Sequence, residues 1–468
     1  MNNRSPADKV RFLIVLSVGL FIQCGRVENV PATGGWASLP EILARIIPPK
    51  FPDRDFSITN FGAKGDGTTD CTEAFRKAID ECNASGGGRV VVPEGVFFTG
   101  PIHLKSNVNL HISERAVVKF LTDPKAYANL VSTRWEGVEC MNYSPLIYAF
   151  EQENIAVTGS GVLEGQASDE NWWSWKGNRG ERSKGKPNQN NARKSLFAMA
   201  EKNVPVGERV FGEGHYLRPN FIQPYRCKNV LIQDVTLKDS PMWFIHPVLC
   251  SNVTVQNVTV NGLGPNNDGC NPESSKDVLI KNCFFNTGDD CIAIKSGRNA
   301  DGRRINVPSE NIVIQGCKMK EGHGGVVLGS EISGGVRNVF AEDCTMDSPN
   351  LDRALRFKTN SVRGGVMENF FARNIRVGEV GEAVLKIDFF YEEGDAGEFT
   401  PVVRNLSISD VTCEKGKYAV WIKGYERSPI TSLVLQNCRF RGIEMPNVIE
   451  AVDGLSVVDV TLNGKPMQ

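Results

Sequence analysis

NVLIQDVTL at 229–237 is followed by NVTVQNVTV at 252–260, DVLIKNCFF at 277–285, NIVIQGCKM at 311–319, NVFAEDCTM at 338–346, NFFARNIRV at 369–377, NLSISDVTC at 405–413 and SLVLQNCRF at 432–440. Successive starts are 23, 25, 34, 27, 31, 36 and 27 residues apart. A unit of this length, rich in β-branched residues and without the apolar period of a helix, points away from helical and leucine-rich arrays and predicts an all-β parallel β-helix, a solenoid of short strands with variable insertions. One such array accounts for 53–468 as a single domain, although 468 residues could on length alone hold more.

The sixth position of these lines is Asp234, Asn257, Asn282, Gly316, Asp343, Asn374, Asp410 and Asn437, residue types that accept tight bends, so this row is structural. Cys283, Cys317, Cys344 and Cys438 follow at the seventh position, as expected of small apolar thiols stacked inside successive coils. NVNLHI at 107–112 and NIAVTGSGVLEG at 154–165 supply earlier coils. Between 70 and 82 the pattern changes to a helix, with Asp70 as N-cap, Glu73 in capping-box position and Ala74, Phe75, Ala78, Ile79 and Cys82 on one face. It is expected to cap the open end of the solenoid, where strand edges and apolar interior would otherwise be bare. The stretch 166–219, with Trp172, Trp173 and Trp175, is too long for an ordinary connection and reads as an excursion beside a binding groove. The tryptophans could equally pin the excursion to the solenoid wall.

With 53 Lys+Arg against 54 Asp+Glu, the net charge of −1 argues against nucleic acid as a partner, so affinity for an acidic ligand must be local. Arg4, Lys9 and Arg11 precede an apolar run, Phe12 to Ile22, that is too short to span a bilayer; residues 1–24 therefore read as a signal peptide and 25–52 as a lead-in. Cys24 is a candidate lipid-attachment cysteine, with Gln23 an unfavourable neighbour for cleavage. Export, no transmembrane segment and a monomer are the expectations. The 13 cysteines show no CxxC or Cys/His spacing suggestive of zinc, and interior thiols are favoured over disulfides.

Chemistry concentrates in about ninety residues: Asp268 in PNNDG, Asp289 and Asp290 in GDDCIAIKSG, His323 in EGHGGVVLGSE, and Arg356 and Lys358 in LRFKT. Glycosidic hydrolysis needs a proton for the leaving oxygen and an activated nucleophile at the anomeric carbon, work for differently tuned carboxyl groups. Spacing of two puts Asn266 with Asp268, and Arg356 with Lys358, on one face of a strand, Leu355 and Phe357 turning inward. Asp289 and Asp290 would alternate, so both reach a groove only if the backbone after Gly288 bends. Arg356 and Lys358 suit a substrate carboxylate held beside aspartates, or simply balance those aspartates.

Asn266-Asn267-Asp268, Gly288-Asp289-Asp290, Gly322-His323-Gly324 and Arg356-Phe357-Lys358 resemble the four motifs of the polygalacturonase family of pectin-degrading glycoside hydrolases. The resemblance implies a right-handed parallel β-helix, inverting hydrolysis of α-1,4-linked galacturonic acid and no metal or other cofactor. It also implies Asp289 as general acid, Asp268 and Asp290 as the carboxylates that position and deprotonate water, and His323 as a tuning group. Asn267 and Phe357 depart from the usual Thr and Ile. An inverting pair is expected to stand roughly 6.5–9.5 Å apart. The segment KSGRNADGRRINVPSE, with Lys295, Arg298, Arg303 and Arg304, and NPESSKDV at 271–278 resemble the bacterial exo-acting branch, in which added loops close one end of the groove. These four cations join Asn266, Arg356 and Lys358 as expected substrate contacts; a solvated basic loop is the plain alternative. Three other readings stand: a rhamnogalacturonan or xylogalacturonan hydrolase, a pectate lyase using calcium, and a non-catalytic polysaccharide-binding solenoid.

Overall fold

The computed structural model describes residues 35–467. The expected signal segment 1–24, with Cys24, lies outside the described residues. The repeated lines stack in parallel, in register. One interior column runs through Ile155, Val230, Val253, Val278, Ile312, Val339, Phe370, Leu406 and Leu433, each paired with the next coil. Every residue in that column is buried. Side chains alternate across a strand, so a line that keeps β-branched residues at one parity builds a continuous core simply by being repeated.

Two asparagine-rich rows explain how the chain turns at each coil. Asp234, Asn257, Asn282, Gly316, Asp343, Asn374, Asp410 and Asn437 all have left-handed backbones, with φ between 52° and 65°. The first residue of each line does the same, as at Asn229, Asn252, Asn311, Asn338, Asn369 and Asn405. Their side-chain amides form a ladder, Asn338 Nδ2 donating to Asn311 Oδ1 at 3.0 Å while Asn338 Oδ1 accepts from Asn369 Nδ2 at 2.9 Å. Asparagine tolerates the left-handed region and its amide both donates and accepts, so the same residue serves the bend and the stack.

Helix α1 (Leu39–Arg45) belongs to the lead-in and sets Leu39 and Ile42 against Val313, Phe340 and Phe371, an apolar column on the outside of the wall. Helix α2 (Thr72–Ala84) buries Ala74, Phe75, Ala78, Ile79 and Cys82 in the main core, as its apolar face predicts. The capping box does not form: Glu73 bonds Arg76 instead, and Asp70 Oδ1 accepts from the Thr72 N–H at 2.9 Å. An Arg three residues ahead competes for the carboxylate that would otherwise reach back. The 12 cysteines among the described residues are free and buried.

Replacing Asn338 by Ala should cost about 2–3 kcal/mol in urea unfolding, from two ladder bonds and a strained left-handed Ala. Asn338→Gly should cost less, because only the bonds are lost. Equal losses would remove the backbone part of the explanation.

Candidate active site

Strands Ile292–Ile294, Val326–Leu328, Arg353–Lys358 and Ala383–Asp388 form a second wall, extended backwards by parallel bridges joining Ile222, Ile245, Cys270 and Ile292. Alternation sends Ile292, Ile294, Leu355 and Phe357 inward, leaving Lys295, Arg356 and Lys358 on the outer face. Asp268 stands two residues before Cys270, and Asp290 two before the bridged Ile292, so these aspartates occupy the same position in adjacent coils. The Gly269 N–H donates to the Asp290 carbonyl at 2.9 Å, and the Cys291 N–H to the Gly324 carbonyl at 2.8 Å. The next coil therefore places Gly324 in this position. A Cβ there would lie 2.5 Å from Val327 Cγ2 and 3.1 Å from Asp290 Oδ1, so glycine leaves the space the carboxylate uses.

The backbone bends through 288–291, and both Asp289 and Asp290 reach the cleft. The Asp290 N–H donates to Asp289 Oδ1 at 2.9 Å. Asn266 and Asp268 also both line the cleft, but not as alternate residues of a strand: Asn266 sits in a turn with φ 55°. Asn267 holds that turn, its Nδ2 donating to the carbonyls of Ser240 and Met242 and its Oδ1 accepting from the Gly264 N–H. Arg218, fully buried, donates to Asn266 Oδ1 at 2.7 Å and to the Pro265 carbonyl at 2.7 Å, fixing the turn from behind.

One oxygen from each of Asp268, Asp289 and Asp290 lies within 4.8 Å of the others. This is tighter than the 6.5–9.5 Å expected between two carboxyls that flank a water. The reason is the stacking: Asp268 and Asp290 are one coil apart and Asp289 is adjacent in sequence. Lys358 Nζ donates to Asp290 Oδ2 at 2.6 Å and Arg356 to Asp290 Oδ1 at 3.2 Å. Lys295 Nζ lies 3.5 Å from Asp268 Oδ2 and 3.1 Å from Glu331 Oε2, and His323 Nδ1 is 3.1 Å from Asp289 Oδ1. Three carboxylates have the donor type of a divalent-cation site, yet two ammonium groups and a guanidinium already lie against them.

Burial raises the Asp268 carboxyl to about 8, reinforced by the charge of Asp289, with Lys295 only partly opposing. Burial would also raise Asp290, but Lys358 and Arg356 outweigh it and hold that group below the ordinary carboxylate range. For Asp289, burial is overcome by the hydrogen bond and charge of His323, with Lys358 and Lys295 adding to it, and the group is well below its usual value. The hydrogen bond and charge of Asp289 in turn raise His323. Of the three carboxyls Asp268 is therefore the one whose surroundings favour the protonated form, while those of Asp289 and Asp290 favour the ionised form.

The cleft has a volume of about 330 Å³. Its further lining was not evident from sequence: Glu136, Lys176, Arg193, Trp243, Glu331 and Tyr391. Glu136 is at the tip of a hairpin formed by Val131–Trp135 and Val138–Asn142, and its Oε2 accepts from Arg193 Nε at 2.7 Å. Arg193 belongs to helix α3 (Asn190–Glu201), within the excursion at 166–219. Trp172 is buried in the main core and the Trp173 indole donates to the Ser240 carbonyl at 2.9 Å, so these tryptophans pin the excursion to the wall. The one available signal for Lys176 was its place just after these anchors.

Arg298, Arg303 and Arg304 do not line the cleft. The segment holding them folds as helix α4 (Asn299–Ile305), and its guanidinium groups are engaged elsewhere. Arg298 pairs with Glu331, Glu392 and Glu393; Arg303 covers the Phe399 ring at 3.5 Å and donates to the carbonyls of Val362 and Arg363; Arg304 pairs with Glu139 and Asp301. Through these contacts they fasten the walls together. The Arg298 N–H donates to the Gly137 carbonyl at 3.0 Å, joining the hairpin tip to α4.

Carboxyl groups tuned in opposite directions, set beside cations in a cleft on a parallel β-helix, are the equipment of a glycoside hydrolase acting on an anionic sugar. Residues 212–400 match the family described as Glycosyl hydrolases family 28, and residues 56–111 the one described as Rhamnogalacturonase A/epimerase, pectate lyase-like. The chain is 48% identical to an exopolygalacturonase from Thermotoga maritima, with a TM-score of 0.89 over 92% of this chain and 96% of that one. It is 26% identical over 427 residues to an exo-poly-alpha-D-galacturonosidase of Dickeya chrysanthemi, covering 85% of this chain and 69% of the relative. It is 27% identical over 424 residues to a probable polygalacturonase of Vitis vinifera, covering 86% and 78%. The chain belongs to glycosyl hydrolase family 28.

Lys358→Met should leave Asp290 buried with Arg356 alone and destabilise the protein by about 3 kcal/mol at neutral pH. The Asp290 carboxyl is depressed in the folded protein, so its ion-pair stabilisation is present above its unfolded value of 3.8 and is lost as pH falls through the lower folded value. The gap between wild type and variant should therefore narrow in acid, as measured by urea unfolding across pH. A gap independent of pH would show that the loss is packing alone.

Proposed function

We propose that this protein hydrolyses α-1,4-linked galacturonic acid in homogalacturonan or oligogalacturonides, releasing galacturonate from a chain end with inversion. The observation that carries this is the group of Asp268, Asp289 and Asp290 converging at the head of a cleft lined by cations. Asp289 is assigned as general acid: it takes the proton from His323 Nδ1, 3.1 Å away, and passes it to the glycosidic oxygen as the anomeric bond breaks. Asp290, ionised against Lys358 and Arg356, takes the proton of the attacking water. Asp268, protonated, fixes that water by donating to it, a division of labour available to two carboxyls that share one proton. Such a water is held by a pair rather than standing alone opposite the acid, which reconciles inversion with the tight spacing.

The exo mode is supported by the wall of Glu136, Lys176 and Arg193, which continues through the hairpin tip onto α4, and by the exopolygalacturonase relatives. Export is supported by the apolar run Phe12–Ile22; among the described residues no helix is long and apolar enough to cross a membrane. The raised Asp268 carboxyl favours a second reading in which that residue is the acid. The two assignments separate on substrate choice. With trigalacturonate, Asp289→Asn should lose about 10³-fold in kcat, whereas an aryl galacturonide, whose leaving group needs no proton, should retain most of its rate. Seeing that pattern in Asp268→Asn would reassign the acid. Proton NMR of the first product should show β-galacturonate; the α anomer would refute inversion, and an ultraviolet-absorbing unsaturated sugar would indicate a lyase.

A further inference from the structure

Each cation lining the cleft has an acidic partner, with one exception among the described residues. Arg193 is paired with Glu136, Lys295 with Asp268 and Glu331, His323 with Asp289, and Lys358 with Asp290. Lys176 lines the same cleft, and among the described residues no carboxylate oxygen lies within 4 Å of its Nζ. The nearby acids are already committed, Glu136 to Arg193 and Asp289 to His323. Lys176 is also held in place: it ends the turn Trp172–Lys176, whose tryptophans are anchored in the core and on Ser240. A half-buried ammonium without a counter-ion, on a fixed backbone, is an unfilled position for an anion.

Resting on the exo reading above, we propose that Lys176 binds the carboxylate of the terminal galacturonate at the closed end of the cleft and is the residue that selects a uronate there over a neutral hexose. The position fits. Lys176 belongs to the excursion at 166–219, lines the cleft together with Glu136 and Arg193, and is near enough to feel the charges of Glu136 and Asp289. Burial depresses its ammonium, and Arg218 and Arg193 add to this while Glu136 opposes it; an arriving carboxylate would oppose it further. The catalytic-side cations are saturated by aspartates, so recognition of the substrate's acid group falls to a cation that is not. A hydrogen bond between charged partners in such a site supports discrimination on the order of 10- to 100-fold.

The test uses two trigalacturonates, one fully acidic and one with the carboxyl of its non-reducing sugar methyl-esterified, and compares wild type, Lys176→Met and Lys176→Arg. The wild type should prefer the acidic trimer by on the order of 10- to 100-fold in kcat/KM. Lys176→Met should lose about that factor on the acidic trimer, chiefly through KM, and change little on the ester, so that the preference disappears; Lys176→Arg should keep most of it. A Met variant with undiminished preference, or equal losses on both trimers in a protein that melts like wild type, overturns the assignment. A wild type that hydrolyses neither trimer, or cuts only internal bonds, overturns the exo reading itself and is seen before any variant is made.

Discussion

Stacking Asp268 directly over Asp290 is the constraint on which the cleft depends. Adjacent coils of a parallel solenoid are separated only by the strand spacing, so carboxyls at the same position of two coils are forced into the same few ångströms. Asp289, turned into the cleft by the bend at 288–291, makes a third. Buried like charges at such distances cannot all persist without compensation. Lys358 and Arg356 answer Asp290, His323 answers Asp289, and Asp268 is left with a share of Lys295 and a carboxyl raised by burial and by its neighbours. The alternation of one strand, Leu355 and Phe357 inward with Arg356 and Lys358 outward, thus serves core packing and charge balance together.

Much of this was written in local sequence. Repeated lines of nine residues revealed the solenoid because register in a parallel stack copies interior positions from coil to coil, and the Asp/Asn row marked the bends because few other residues adopt left-handed backbone. The aspartates, His323, Arg356 and Lys358 were legible for the same reason: they lie on or next to repeated strands, where spacing translates into direction. The geometry of Asn266 was not, since a turn replaces the strand there and alternation ceases to apply.

What the sequence concealed came from insertions. Glu136, Lys176, Arg193 and Tyr391 reach the cleft from segments whose lengths vary between coils, and nothing in their local pattern states where they fold back. Arg298, Arg303 and Arg304 illustrate the converse. Clustered arginines suggested an anionic ligand, but acidic residues far away in sequence, Glu139, Glu392 and Glu393, claim two of them, and carbonyls with the Phe399 ring claim Arg303. The docking of α1 had a faint trace: Leu279, Val313, Phe340 and Phe371 are apolar at an outward position where neighbouring coils carry Thr254 and Ser407, an apolar stripe that some other element had to cover.

Carbon-13 NMR titration of the aspartate carboxyls, with Asp268→Asn for assignment, examines the charge arrangement most directly. One carboxyl of the group should still be protonated at about pH 6, lose its proton near a value of about 8, and be missing from the spectrum of Asp268→Asn. Finding Asp268, Asp289 and Asp290 all ionised by about pH 5, in a folded protein, would contradict it.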